Sequence, residues 1–267
     1  MKLRPVAAIA LRQLYLLRSS PVRVMPTIAW VAVDIVLWGF IARYLNSIST
    51  SGVNFTASLL GAVLFWDFFS RVMQGVTMAF FEDIWSRNFI NVFASPLLIS
   101  EYLAGLVLTG IATSLVGLVA MLLIATLVFG LQFAALGLLL LPFLLVLFLF
   151  GIALGVAASA MVLRFGPASE WLVWPIPALL SPFVGVFYPL ATLPGWMRGI
   201  GHLLPPSYVF EAMRSAIAGG AIRAGSLVAG VALAALYVLL ACALFARVHR
   251  YTVRSGLLAR YSAESSS

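Results

Sequence analysis

Lysine is almost missing from this chain, and charge of either sign is scarce. Of 267 residues only 9% are Asp, Glu, Lys or Arg, where a soluble globular domain carries about a quarter. Apolar side chains make up 63%. A soluble protein is thereby excluded, and the chain belongs in a bilayer. Lys2 is the single lysine, so no phosphate-cradling GxxxxGK(S/T) loop exists and ATP hydrolysis by that route is excluded. Histidine is limited to His202 and His249, in different regions and without neighbouring acids. No HExxH, GxSxG or Cys/His cluster occurs, so no catalytic residue and no metal site is expected. Cys242 is the one cysteine and lies in an apolar run, which excludes an intramolecular disulfide. The net charge of +8 does not point to nucleic acid, because no soluble domain is there to present a basic face. It fits loops facing the inner side of a membrane and anionic headgroups.

What is present is a series of long apolar runs. For the start, residues 1–23, an interfacial helix is expected rather than a cleaved signal, since Arg12 interrupts its apolar run and no small-x-small site follows. Leu3, Val6, Ile9, Leu14 and Leu17 alternate with Lys2, Arg4, Arg12, Gln13 and Arg18, the pattern of a basic amphipathic helix lying in the interface and ended by Ser19, Ser20 and Pro21. A helix needs about 20 mainly apolar residues to cross the hydrocarbon. Six spans are predicted, at 24–45, 57–81, 103–129, 133–163, 170–190 and 226–247. The fourth is too long for one straight crossing, so a bend at Pro142 or an extension beyond the bilayer is expected. The fold class is all-α integral membrane, a single domain 1–267 ending in a short basic tail, 248–267.

Orientation follows from the basic residues. With the N-terminus inside, the inner segments hold Lys2, Arg4, Arg12, Arg18, Arg23, Arg87, Arg164, Arg247, Arg250, Arg254 and Arg260. The outer ones hold only Arg43, Arg198, Arg214 and Arg223. This excess puts both termini in the cytoplasm, and with them residues 82–102.

Three charges fall inside spans: Asp34 in the first, Asp67 and Arg71 in the second. Each costs about 2.5 kcal/mol or more in lipid, so they face protein or water. Asp67 and Arg71 are i, i+4 and can neutralise each other; Asp34 can reach Arg71 from the next helix. Two readings stand, a buried ion pair pinning two spans and a polar lining for a pathway.

Residues 171–211 hold seven of the thirteen prolines: Pro175, Pro177, Pro182, Pro189, Pro194, Pro205 and Pro206. Interior prolines remove helix hydrogen bonds, and in lipid the freed groups need partners or a cavity. Residues 191–223 stay apolar, which favours a helical hairpin re-entering the outer leaflet over a loop resting on the surface. Trp196 and Tyr208 suit the interface, and Glu211 and Arg214, at i, i+3, are expected to pair.

Between the second and third spans lies EDIWSRNFINVFASPLLISEY, the most polar passage of the first two-thirds of the chain. Trp85, Phe89, Val92 and Phe93 form one helical stripe, and Asp83, Arg87 and Asn91 form another. By itself that suits an idle headgroup helix as well as a docking element.

These parts in this order, with the Ser95-Pro96-Leu97 turn and FYPLATLPGWM followed by LLPPSYVFEAMR before the last span, resemble the ABC type-2 transporter permease family. The resemblance covers essentially the whole chain and is most specific at 82–105 and 187–214. It departs from the family where Arg87-Asn88-Phe89-Ile90-Asn91 replaces a Gly-Thr-Leu-Glu-like run. The resemblance implies six spans, a coupling helix at 82–102 seated on a separate ABC ATPase subunit, a re-entrant pair before the last span, and a homodimer enclosing an export route. It implies no cofactor in this chain, with ATP and Mg held by the partner ATPase. On that basis Glu82, Asp83, Trp85, Arg87 and Phe89 are the expected contact surface, with Pro96 ending the helix. Pro194, Trp196, Pro205, Glu211 and Arg214 mark the re-entrant hairpin. The expectation is an exporter permease of the bacterial inner membrane for amphipathic drug-like, lipid or glycan cargo. The rivals are a secondary transporter or channel coupling ions through Asp34, Asp67 and Arg71, and a non-transporting assembly subunit.

Overall fold

The computed structural model describes residues 3–19, 21–48, 55–85, 97–130, 137, 140–221 and 223–255. Among them the secondary structure is helical throughout. In chain order the helices are α1 (Leu3–Ser19), α2 (Pro21–Ile48), α3 (Phe55–Trp85), α4 (Ile99–Phe129), α5 (Leu140–Phe165), α6 (Ile176–Val184), α7 (Gly195–Leu203), α8 (Pro205–Ile217) and α9 (Ala224–Arg254), with 3-10 turns at Pro167–Leu172 and Leu190–Thr192. Four of them, α3, α4, α5 and α9, are long and apolar enough to cross a membrane. The 28 residues of α2 contain the predicted first span, and at 1.5 Å per residue they extend about 42 Å.

The boundaries differ instructively from the expected ones. Helix α1 stops at Ser19 and Pro21 opens α2, where its fixed φ and missing N–H are harmless. Helix α5 begins only at Leu140. Pro142 therefore sits in its first turn, where the amide has no intrahelical partner to lose, and not within a 133–163 span. Helix α9 runs on to Arg254 and takes in part of the predicted tail. Residues 170–190 are not one continuous span. Gly166 (φ 95°) and Gly185 (φ 68°) stand in the left-handed half of backbone space, and with the prolines they leave only the nine residues of α6 as α-helix.

Close contacts give the directions. Val146 meets Gly230, Phe150 packs edge-to-face on Tyr237, and Arg164 lies over Tyr251, so α5 and α9 are parallel. Phe65 with Phe143 and Phe69 with Phe150 make α3 parallel to both. Helix α4 runs against α3, with Gly75 against Gly110 and Asp83 against Tyr102. Because α5 and α9 are parallel, the chain between them must travel from one end of the bundle to the other. The broken stretch from Gly166 to Leu193 makes that return.

The core is apolar and centred on α3, whose Phe65, Phe69, Val72, Val76 and Phe80 are fully enclosed. Small residues let the helices close up, as in other bundles that lack a hydrophobic drive between helices. A Cβ at Gly151 would stand 2.8 Å from the Val72 side chain, and one at Gly155 would stand 2.9 Å from the Met73 carbonyl. These glycines form a G-x-x-x-G seam on α5. At the other end Asn46 closes the α2–α3 connection: its Oδ1 accepts the Phe55 amide at 2.8 Å and its Nδ2 donates to Thr56 Oγ1 at 2.7 Å.

Candidate functional site

At the end of the bundle where α3 stops and α4 starts, three elements converge on one carboxylate. Asp83, in the last turn of α3, is almost fully buried. Its Oδ1 accepts from the Arg12 guanidinium of α1, and its Oδ2 accepts from the Tyr102 hydroxyl at 2.8 Å, from the first turn of α4. One turn back, Gln13 Nε2 donates to the Ala79 carbonyl at 3.2 Å. The amphipathic face of α1 makes this possible. Val6, Ile9, Ala10 and Gln13 fall at i, i+3, i+4 and i+7 and are buried, with Ile9 against Gly105 so closely that a Cβ there would come within 2.6 Å. Phe80 ties in α9, edge-on to both Tyr102 and Phe245.

Asp83 was expected on an outward contact surface; instead its carboxylate faces inward, because it completes this knot. Glu82 is half-buried beside it. Trp85 is about half exposed, packs on Phe81, and donates from Nε1 to Glu170 Oε2 at 3.1 Å. Residues 82–85 thus continue α3 and residues 99–102 begin α4. Between them, Arg87, Phe89 and Pro96 lie outside the described residues. Both roots of the segment are fastened, one through Asp83 and Trp85, the other through Tyr102 and Glu101, whose side chain accepts the Leu98 amide at 3.3 Å. Arg12, Gln13, Tyr102 and Glu170 are not among the site residues expected from the sequence. The one local hint was Arg12, a charge interrupting an apolar run.

In the middle of α3, Arg71 Nε donates to Asp67 Oδ2 at 2.7 Å. The pair is mostly but not fully covered, and Asp34 of α2 lies within the electrostatic reach of Arg71. Gly117 of α4 makes room for the arginine: a Cβ there would stand 2.9 Å from Arg71 Cδ. Asp67, Arg71 and Gln74 follow helical spacing along a mostly covered edge of α3.

The third cluster serves the broken return. Glu211 and Arg214 of α8 pair at 2.8 Å. Arg214 Nη1 also donates to the carbonyls of Gly185 at 2.8 Å and Val186 at 3.3 Å, and Glu211 Oε1 accepts the Leu190 amide at 2.8 Å. Backbone groups freed by the prolines are thereby satisfied inside the protein, as an apolar surround demands. Helices α7 and α8 are short and consecutive, turning at Leu204 with Ser207 Oγ donating to Gly201 O at 2.6 Å. Pro194 caps α7, Pro205 opens α8, and Trp196 is exposed next to Phe183.

Among the described residues no group of three His, Cys, Asp or Glu stands close enough to hold a metal ion. The arrangement fastens the helix ends on either side of residues 86–96, places an ion pair within α3 and returns the chain from α5 to α9 through broken backbone. Residues 15–218 match the family model described as ABC-2 type transporter. Among curated proteins none matches the chain.

Proposed function

Because the chain belongs to the ABC-2 type transporter family, a family of transport permeases that pair with ABC ATPases, we propose that it is the membrane subunit of an ATP-driven exporter. Two copies would pair with two separate ATPase subunits, which carry ATP and Mg, in a bacterial inner membrane with both termini in the cytoplasm. Six crossings complete the topology: α2, α3, α4, α5, the broken return and α9, with α7 and α8 dipping into the outer leaflet.

The observation that carries this reading is the knot at Asp83. A segment pushed by a partner moves a membrane domain only when its roots are rigidly joined to the helices that must shift. Here α1, α3 and α4 share one buried carboxylate, so displacement of residues 86–96 is delivered to all three. Closure of the ATPase pair supplies the differential contact that shifts the bundle between two arrangements. Arg87 and Phe89, with Glu82 and Trp85 at the root, form the contact surface; Asp83 holds it from behind. The partly open edge carrying Asp67, Arg71 and Gln74 lines the route between two copies. The small number of charges suits amphipathic drug-like, lipid or glycan cargo.

The test is coexpression with a cognate ABC ATPase and substitution of Arg87→Glu and Phe89→Ala. Loss of the copurified ATPase, or of ATP turnover that depends on the permease, is expected. Survival of both would refute the coupling assignment.

A further inference from the structure

The inner end of α9 carries a second charged cluster that the transport reading does not use. Arg247, Arg250, Tyr251, Arg254 and Ser255 line an open recess of about 460 Å³. Arg164 of α5 joins them, its guanidinium carbon 4.2 Å from the centre of the Tyr251 ring. Among the described residues none of these four arginines is paired with a carboxylate; the nearest thing to a partner is the Ala246 carbonyl, which accepts from Arg250 Nε at 3.3 Å. Four arginines gathered with no counter-charge among the described residues suit an anionic ligand, and the planar guanidinium favours bidentate contact with phosphate.

The apolar surface leading into the recess says which anion. Leu236, Leu240 and Leu244 are all exposed, and at 100° per residue they share one face of α9 with Arg247, Tyr251 and Arg254. From Leu236 to Arg247 the helix rises about 16 Å, close to half of a hydrocarbon core about 30 Å thick. On a helix long and apolar enough to cross the membrane, this stripe already faces acyl chains, so the phosphate within reach of the arginines is the headgroup of a lipid lying along it. An acyl chain one leaflet long would cover it, while its headgroup phosphate reached the arginines and Tyr251 sat at the interface.

We propose that this face of α9 is a binding site for one anionic phospholipid of the inner leaflet. The phosphate is held by Arg247, Arg250 and Arg254, with Arg164 supporting from α5 through Tyr251. The site is separate from the Asp83 knot and does not depend on the ATPase assignment.

The experiment is native mass spectrometry of the detergent-purified full chain titrated with phosphatidylglycerol or phosphatidylcholine. Wild type should retain one phosphatidylglycerol at least tenfold more strongly than phosphatidylcholine. Arg247→Gln/Arg250→Gln/Arg254→Gln should lower that retention about a hundredfold, at roughly fivefold per arginine near a membrane surface. The matching triple Lys variant, which keeps the charge, should lose far less, and Arg43→Gln/Arg223→Gln, at the opposite end, should lose nothing. Leu240→Ser/Leu244→Ser should weaken lipid retention with the arginines intact. Equal retention of the two lipids, or an unchanged triple Gln variant, would overturn the proposal. So would displacement of the lipid by millimolar glycerol phosphate, which would make this a soluble-anion site. Loss of a copurified ATPase from the triple Gln variant with lipid retention unchanged would make it a protein-docking surface instead.

Discussion

At Asp83 one carboxylate accepts the Arg12 guanidinium on one oxygen and the Tyr102 hydroxyl on the other. Removing one member of a buried charged pair costs about 3–5 kcal/mol, because the other is left buried and uncompensated. Arg12 is 31% exposed, so water recovers part of that loss and the cost here belongs at about 2–3 kcal/mol. Asp83→Asn and Arg12→Gln should each destabilise the chain by that amount. The double variant should cost clearly less than the sum, since the second change removes a charge already orphaned. Unfolding in titrated SDS micelles measures this; strict additivity would mean that the two groups do not interact. The pair at Asp67 and Arg71 differs in kind. Both members lie on one helix and were legible from their spacing alone, as were Glu211 and Arg214. Arg12 and Asp83 are 71 positions apart, and no local pattern announces a partner at that distance.

Among the elements, the contact of α3 with α5 leaves no room for a larger side chain at its glycines. Gly155→Leu would drive a branched side chain into Val76 and the Met73 carbonyl, and overpacking of this kind costs about 1–3 kcal/mol. The same micelle unfolding should show the loss, whereas Gly195→Leu, at a position open to space, should show little. Helix existence was readable in the apolar runs because a bilayer demands about 20 such residues in a row. The ends were less readable. Trp85 prolongs α3, its side chain finding Glu170, and Arg254 lies in the last turn of α9, which runs on past the predicted span. The proline-rich fifth run shows the opposite failure. Its composition satisfies a hydropathy count, yet its backbone cannot satisfy its own hydrogen bonds, so it needs Glu211 and Arg214 from a helix that comes later in the chain.

For the whole molecule, the parallel course of α5 and α9 requires the return to traverse the bundle. Cysteines placed singly at Ala168 and at Thr192, both exposed, in a Cys242→Ser background should therefore be labelled by an impermeant maleimide from opposite faces of a sealed membrane. Labelling of both from the same face would sink the crossing. The charge asymmetry in the sequence predicts Ala168 as the inner of the two.

Parallel neighbours also impose a schedule. Gly230 follows the residue it packs on, Val146, by 84 positions. At about 5–20 residues per second of synthesis, the face of α5 that receives α9 waits roughly 4–17 s for its cover. During that interval Val146 and Phe150 look onto lipid or onto an insertion factor. A nascent chain halted before Ala224 would hold that face open for as long as it persists, so such a truncated chain should be cleared by membrane proteases faster than the full one, as a pulse-chase comparison would read.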